Sequence, residues 1–276
     1  MNRIDHILFP TDLSPAADAA LQHAAFLADS LGARLVLYHV AGIPISEYAA
    51  WAAGKEEDVW RRVDETVRRE LQRRAEGLRA PCEIIVRHDA PSARVLVDLS
   101  VLDQIHRTRP GLVVMPMQSR SGFSRFFVGS VTEQVVRHAG VPVLAIRDPG
   151  GRPPSPYRVV LLATDLSGAS RRVFPAAAIL ARRFGARVAA VHVAPPDAMV
   201  RPAREHVRAF LRPDFEEASV RIEEGAPWRA IVRAAEEEKA DLVAVARHGA
   251  DSLGEEILGG TTDRVLRHSP CPVLVG

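Results

Sequence analysis

The chain writes one pattern twice. Residues 4–40 (IDHILFPTDLSPAADAALQHAAFLADSLGARLVLYHV) return about 153 positions later as residues 158–193 (RVVLLATDLSGASRRVFPAAAILARRFGARVAAVHV). Both copies run in one order: an apolar run, Thr-Asp-Leu-Ser, an amphipathic stretch, Gly-Ala-Arg, and a closing apolar run that ends in His-Val. A second block, residues 113–144, matches residues 243–274 without a gap at an offset of 130. Self-similarity of this kind makes each half one folding unit, and a residue that holds its place in both copies becomes a candidate for a shared site. The 276 residues are therefore read as a domain at 1–148, a linker at 149–156 and a second domain at 157–276. Each half is long enough to bury its own core, and the glycines and prolines of the linker sustain neither helix nor sheet ladder.

Composition narrows the class. With 47% hydrophobic and 25% charged residues the chain has the balance of an ordinary globular protein. The start, MNRIDHILFP, lacks the apolar centre of a signal peptide, and no run of about eighteen apolar residues occurs, which predicts a cytoplasmic protein that does not span a membrane. Cys82 and Cys271 lie at non-equivalent places in the two halves and form no metal-ligand spacing, so neither a disulfide nor a metal site is expected. Arginine pairs at 61/62, 68/69 and 73/74 alternate with Glu56, Glu57, Glu65, Glu70 and Glu76 at helical spacing. Such interleaving reads as a solvated helix face, and aromatic content of 5% leaves few stacking partners for bases, so nucleic acid is not an expected partner.

Short β-rich runs alternate with helical patterns in each half, which predicts βαβ units and a mainly parallel sheet. The fold class expected is α/β: two tandem open parallel-sheet domains, Rossmann-like and flavodoxin-like. Strands are predicted near 4–10, 34–40, 82–87, 112–116 and 141–146, and again near 158–163, 187–193, 220–223, 242–246 and 272–275. Ser14 is positioned to cap the first helix, with Pro15 at its tolerated first position and Gly32 as its stop; Ser167 and Gly185 match them. The interval 90–115 is six residues longer than its counterpart 226–245, and the excess is read as lying around the end of the third helix (VLDQIHRTRP). The second helix of the first half is read as longer too.

In open parallel sheets ligands bind beyond the carboxyl ends of the strands, where strand order reverses. Thr11-Asp12 and Thr164-Asp165 follow the first strand of each half, and residues 115–130 and 245–261 form a long loop after the fourth. A carboxylate there accepts hydrogen bonds from ribose hydroxyls or an amine, while glycines and hydroxyls at a helix start present N–H groups to phosphate. Each feature has a plainer reading as well. Thr-Asp-x-Ser before a helix is also a cap or turn, and Gly249, Gly259 and Gly260 also suit a tight loop without a ligand. Their joint placement describes a nucleotide site.

The first strand ending in Thr-Asp-x-Ser, the His-Val after the second strand, and the loop running into GGTTDRVLRHSPCPVL resemble the universal stress protein family, here as a tandem. The resemblance implies a five-stranded parallel sheet in order 3-2-1-4-5 with flanking helices, pairing of domains through the fifth strand, and binding of ATP, with Mg as its companion. The family's phosphate pattern is G-x2-G-x9-G-(S/T). In the first half its positions are Pro116, Ser119, Gly129 and Ser130; proline has no N–H to offer and serine adds a Cβ where glycine freedom is wanted. In the second half they are Ala246, Gly249, Gly259 and Gly260, with Thr261 and Thr262 next in line, which makes the second half the better nucleotide site. By resemblance Thr164 and Asp165 face ribose and phosphates, the backbone of Val193 contacts adenine, and Gly249, Gly259, Gly260 and Thr261 cradle the phosphates. The surviving first-half equivalents are Asp12, Val40, Gly129 and Ser130. His248 precedes the second glycine and reads as a structural loop residue more readily than as a base.

Other signatures are missing: GEEILGGT lacks the lysine of a P-loop, and no G-x-G-x-x-G follows a strand. Three functions follow from the residues. The leading one is a nucleotide-responsive regulatory or stress-adaptation protein with ATP in the second domain and an unidentified protein partner. The second is a slow ATP hydrolase or nucleotidyl transferase that uses Asp165 with a metal ion. The third is an interaction scaffold that pairs through the apolar fifth strands, either within one chain or between chains as a homodimer.

Overall fold

The computed structural model describes residues 3–88, 97–117, 128–147, 154–195, 199–249 and 258–276. The first half runs β1 (His6–Pro10), α1 (Pro15–Leu31), β2 (Arg34–Ala41), a 3-10 turn (Ile45–Glu47), α2 (Tyr48–Ala52), α3 (Glu56–Ala75) and β3 (Cys82–His88). It continues through α4 (Val97–Thr108), β4 (Leu112–Pro116), α5 (Ser130–His138) and β5 (Val143–Ile146). The second half runs β6 (Val159–Ala163), α6 (Gly168–Arg171), α7 (Phe174–Phe184), β7 (Arg187–Val193), α8 (Val200–Leu211) and β8 (Ser219–Glu223). It closes with α9 (Pro227–Glu237), β9 (Leu242–Val245), α10 (Gly260–His268) and β10 (Val273–Val275).

Within each half the strand order is the expected 3-2-1-4-5, and every pair is parallel. The two five-stranded sheets meet through their fifth strands, as the resemblance implies. The strands form one ten-stranded sheet, β3-β2-β1-β4-β5-β10-β9-β6-β7-β8, joined where β5 and β10 pair antiparallel. Val273 faces Ala145, Leu274 faces Leu144 and Val275 faces Val143 across this seam. The pairing through fifth strands thus takes place inside the chain. The physical reason is that both strands are buried along their whole length, where unpaired backbone N–H and C=O groups would be costly.

Both faces of the sheet are covered by helices, which is why its strands read as near-continuous apolar runs. Ile7, Phe9, Leu35 and Leu37 point to the α1 side, while Leu8, Val36 and Tyr38 point to the α4 and α5 side. β5 and β10 begin two and one residues later than predicted because Pro142 and Pro272 have no N–H; their carbonyls accept instead from Val113 and Val243.

The helix signals act as read in α1. Ser14 accepts from the Ala17 N–H, and Gly32 ends the helix at φ 63°. In the second half Ser167 and Gly185 play the same parts, but the helix between them is broken into α6 and α7. Pro175 explains the break, since it has no N–H for the carbonyl four residues back and its ring crowds that carbonyl. The six extra residues are also placed differently from expectation. Arg109 and Lys239, both left-handed at φ 44° and 52°, end α4 and α9 at the same offset of 130 seen in the following block. The alignment therefore stays gapless through both helix ends, and the added length falls before α4, in 89–96, outside the described residues.

α3 outruns its counterpart α8 as predicted, with 20 residues against 12. Several of its arginines are paired: Arg68 with Asp64, Arg73 with Glu70, and Arg74 with both Glu70 and Asp18 of α1. Across the seam, α1 meets the second half through rings. Phe26 stacks on Phe184 at 5.6 Å, and His23 Nε2 lies 2.7 Å from the Tyr157 hydroxyl. Burial pushes His23 down to about 4 and drives the Tyr157 phenol up. Arg147, just past β5, donates to the Leu266 and Arg267 carbonyls at the end of α10, so a first-half cation satisfies a second-half helix terminus.

Candidate functional site

β1 and β6 each lie between a strand that follows them directly and one reached by crossing over, so strand order reverses beside them. The turn after each rests on the same backbone contacts. Leu166 takes a left-handed φ of 65°, and its N–H donates to Thr164 Oγ1 at 3.0 Å. Asp165 Oδ1 accepts from the Ser167 N–H at 3.0 Å and from Ser167 Oγ at 2.6 Å. In the first half Leu13 has φ 61°, Thr11 Oγ1 accepts from its N–H, and Asp12 Oδ1 accepts from the Ser14 N–H. The turn reading of these aspartates therefore holds for one oxygen of each.

The second oxygen has another surrounding. A β-carbon on Gly249 would lie 3.1 Å from Asp165 Oδ2, so the loop after β9 packs closely over that carboxylate and a side chain there would press on it. Gly259 serves a similar close approach. Its absent β-carbon would stand 3.3 Å from His248 Cα, and its N–H donates to the Arg247 carbonyl at 3.0 Å. Gly260 is different, for nothing lies within 4 Å of where its β-carbon would be. Thr262 is buried and donates to the Ala246 carbonyl at 2.7 Å, fastening α10 to the end of β9. Gly259 is the cap residue of α10 and supplies no side chain to its first N–H groups.

All nine second-half residues that the sequence singles out line one cavity of about 330 Å³. Thr164 and Asp165 come from the end of β6, Val193 from β7, Ala246 and Gly249 from the loop after β9, and Gly259 to Thr262 from the start of α10. The first-half cavity measures about 250 Å³ and gathers Asp12, Val40, Gly129 and Ser130 in the equivalent places. Pro116 lines it; Ser119 lies outside the described residues.

Sequence reading passed over several participants. Ser170 is buried, lines the second cavity, and its hydroxyl is 2.9 Å from Thr164 Oγ1. Ile231 and Val191 line that cavity too, and Val101 and Tyr38 take their places in the first. The repeat itself carried this signal, since 101 and 231 differ by the same 130 and 38 and 191 by 153. The histidines of the two His-Val pairs also acquire a role. His39 Nδ1 donates to the Thr11 carbonyl and His192 Nδ1 to the Thr164 carbonyl, both at 2.8 Å, tying the second strand of each half to the turn after the first.

This doubled architecture is one that known proteins share. A model of the universal stress protein family matches residues 3–147 and again residues 156–275. The chain belongs to the universal stress protein family, as a tandem member. Two curated relatives are each about half its length in alignment. A Thermus aquaticus protein named as a universal stress protein is 32% identical over 144 residues, which is 43% of this chain and 98% of the relative. A universal stress protein of Methanocaldococcus jannaschii is 30% identical over 138 residues, 43% of this chain and 81% of the relative. Among solved structures, a universal stress protein from Archaeoglobus fulgidus superposes with a TM-score of 0.75 at 24% identity, over 98% of this chain and 97% of that one, which supports the fold. No helix among the described residues is long and apolar enough to cross a membrane.

Proposed function

We infer that the protein is a nucleotide-responsive regulator in which ATP occupies the second-half cavity. One observation carries this reading: Gly249 and Gly259, each placed where a β-carbon would be crowded, bring the loop after β9 against Asp165 beside a helix start that no side chain caps. Oriented backbone N–H groups at such a start suit phosphate, and Asp165 suits hydroxyl donors such as those of ribose. Val193, Ile231 and Val245 give the same cavity an apolar wall for a base. Mg²⁺ fits as a companion held chiefly by phosphate oxygens, with Asp165 as the cavity's carboxylate; this is its usual mode beside a nucleotide.

The mechanism is linkage rather than turnover. A ligand that prefers one arrangement of partner or assembly shifts the population toward it by its difference in affinity. Arg147 from the first half holds the end of α10 whose beginning faces the cavity, which gives the ligand a physical connection to the seam. Asp165 has one oxygen engaged in the turn by two donors, an arrangement suited to positioning. The test is denaturing release and mass identification of whatever co-purifies, followed by equilibrium binding. ATP or ADP near one per chain, lost in a folded Gly259→Glu variant, is the expected result. An empty protein that ignores millimolar ATP would overturn the reading and leave a scaffold.

A further inference from the structure

The first-half cavity differs from the second at several wall positions; Ser130 for Gly260 adds a hydroxyl and Val101 for Ile231 is smaller, but four other exchanges make the wall bulkier or less polar. At equivalent positions Tyr38 stands for Val191, Met115 for Val245, Pro116 for Ala246 and Val131 for Thr261. Two exchanges add apolar bulk, one removes an N–H, and one trades a hydroxyl for a methyl. Besides Ser130, several polar atoms of the wall are engaged with backbone carbonyls. The Tyr38 hydroxyl donates to the Ser100 carbonyl at 3.0 Å, Thr132 Oγ1 to the Pro116 carbonyl at 2.8 Å, and His39 Nδ1 to the Thr11 carbonyl at 2.8 Å. Asp12 lines this cavity as Asp165 lines the second, so the difference between the two lies in the rest of the wall.

We propose that this cavity is a binding site for an uncharged apolar molecule of one or two rings that carries a hydrogen-bond donor. The donor would meet the Asp12 carboxylate, while the rings pack among Val40, Val101, Met115 and Val131. Size fits this class: about 250 Å³ falls between the roughly 150 Å³ that accommodates benzene and the about 300 Å³ at which drug-sized pockets begin.

Methionine methyl NMR on the full chain tests this, because Met115 lines the cavity while Met199 is exposed in the other half. With 5-fluoroindole as probe, the Met115 methyl should shift in a saturable manner and the Met199 methyl should not. ATP should leave Met115 unmoved. Val101→Phe should abolish the response by filling the cavity. Val131→Thr, at a half-exposed site in the first turn of α5, should keep the fold and weaken the probe about tenfold by presenting an unpartnered hydroxyl to it. A Met115 signal that ignores the probe, that answers to ATP instead, or that responds with equal affinity in folded Val131→Thr would each overturn the proposal.

Discussion

In the first half the turn after β1 holds Leu13 at φ 61°, and in the second the turn after β6 holds Leu166 at φ 65°, with the same threonine, aspartate and serine contacts around both. Yet the cavity beside the first turn has Pro116 and Val131 where the second has Ala246 and Thr261. The turn is kept because it is structural: it caps the next helix and ties two strands together through His39 or His192. The wall changes while its apolar residues stay part of the core: Tyr38, Val101 and Met115 are buried there, as are Val191, Ile231 and Val245. A repeated motif therefore reports the scaffold, and the positions where the copies disagree report specialisation.

The sharpest way to break this comparison is Gly249→Val. Its side chain would press on Asp165 Oδ2, and ATP affinity should fall at least about a hundredfold while the first-half probe response is unchanged. Calorimetric titration of both ligands checks this, and equal losses in both cavities would defeat the idea that the halves act separately.

A second asymmetry is His23, whose equivalent in the other half is Ala176. Burial lowers its folded value to about 4 against an ordinary value near 6.5, so the unfolded chain binds the extra proton between those limits. Stability should be complete above about pH 6.5 and decline toward pH 4. The full shift corresponds to about 3 kcal/mol, reduced to roughly 2 kcal/mol because the ring is partly exposed. Urea unfolding across this range should give a flatter profile for His23→Leu than for the parent.

Gly32→Ala and Gly185→Ala should each cost about 1 kcal/mol, because both stops sit at φ 63°. Unequal costs by thermal unfolding would show that the broken α6–α7 helix changes how its stop is held. The smallest effect is expected from Gly260→Ser. Its β-carbon has open space, and the new hydroxyl should tighten ATP about threefold. A weakened complex would mean that Thr261 already fills that role.

Much of this is legible in the sequence, because local chemistry decides it. Ser14, Pro15 and Gly32 bracket α1 by capping and left-handed geometry alone, and the nine second-half cavity residues converge because the repeat marks two strand ends and one helix start. What escaped depended on competition or on distance. Pro175 breaks a helix that its intact first-half copy made seem continuous. The six extra residues slid to the wrong end of α4 because only the paired φ values of Arg109 and Lys239 fix the alignment. Ser170 and Ile231 look like ordinary helix residues until the sheet brings them to the cavity. The union of β5 with β10 needs three-dimensional closure, and no local pattern distinguishes it from pairing between two copies.

The antiparallel seam has a consequence for how the molecule meets its surroundings. Strands of the first half end where strands of the second half begin, so the two cavities open at opposite poles of the sheet. A flat surface laid against one pole cannot reach both cavities at once. Were both cavities filled as proposed, the two ligands would be presented at opposite ends of the strands, to different neighbours.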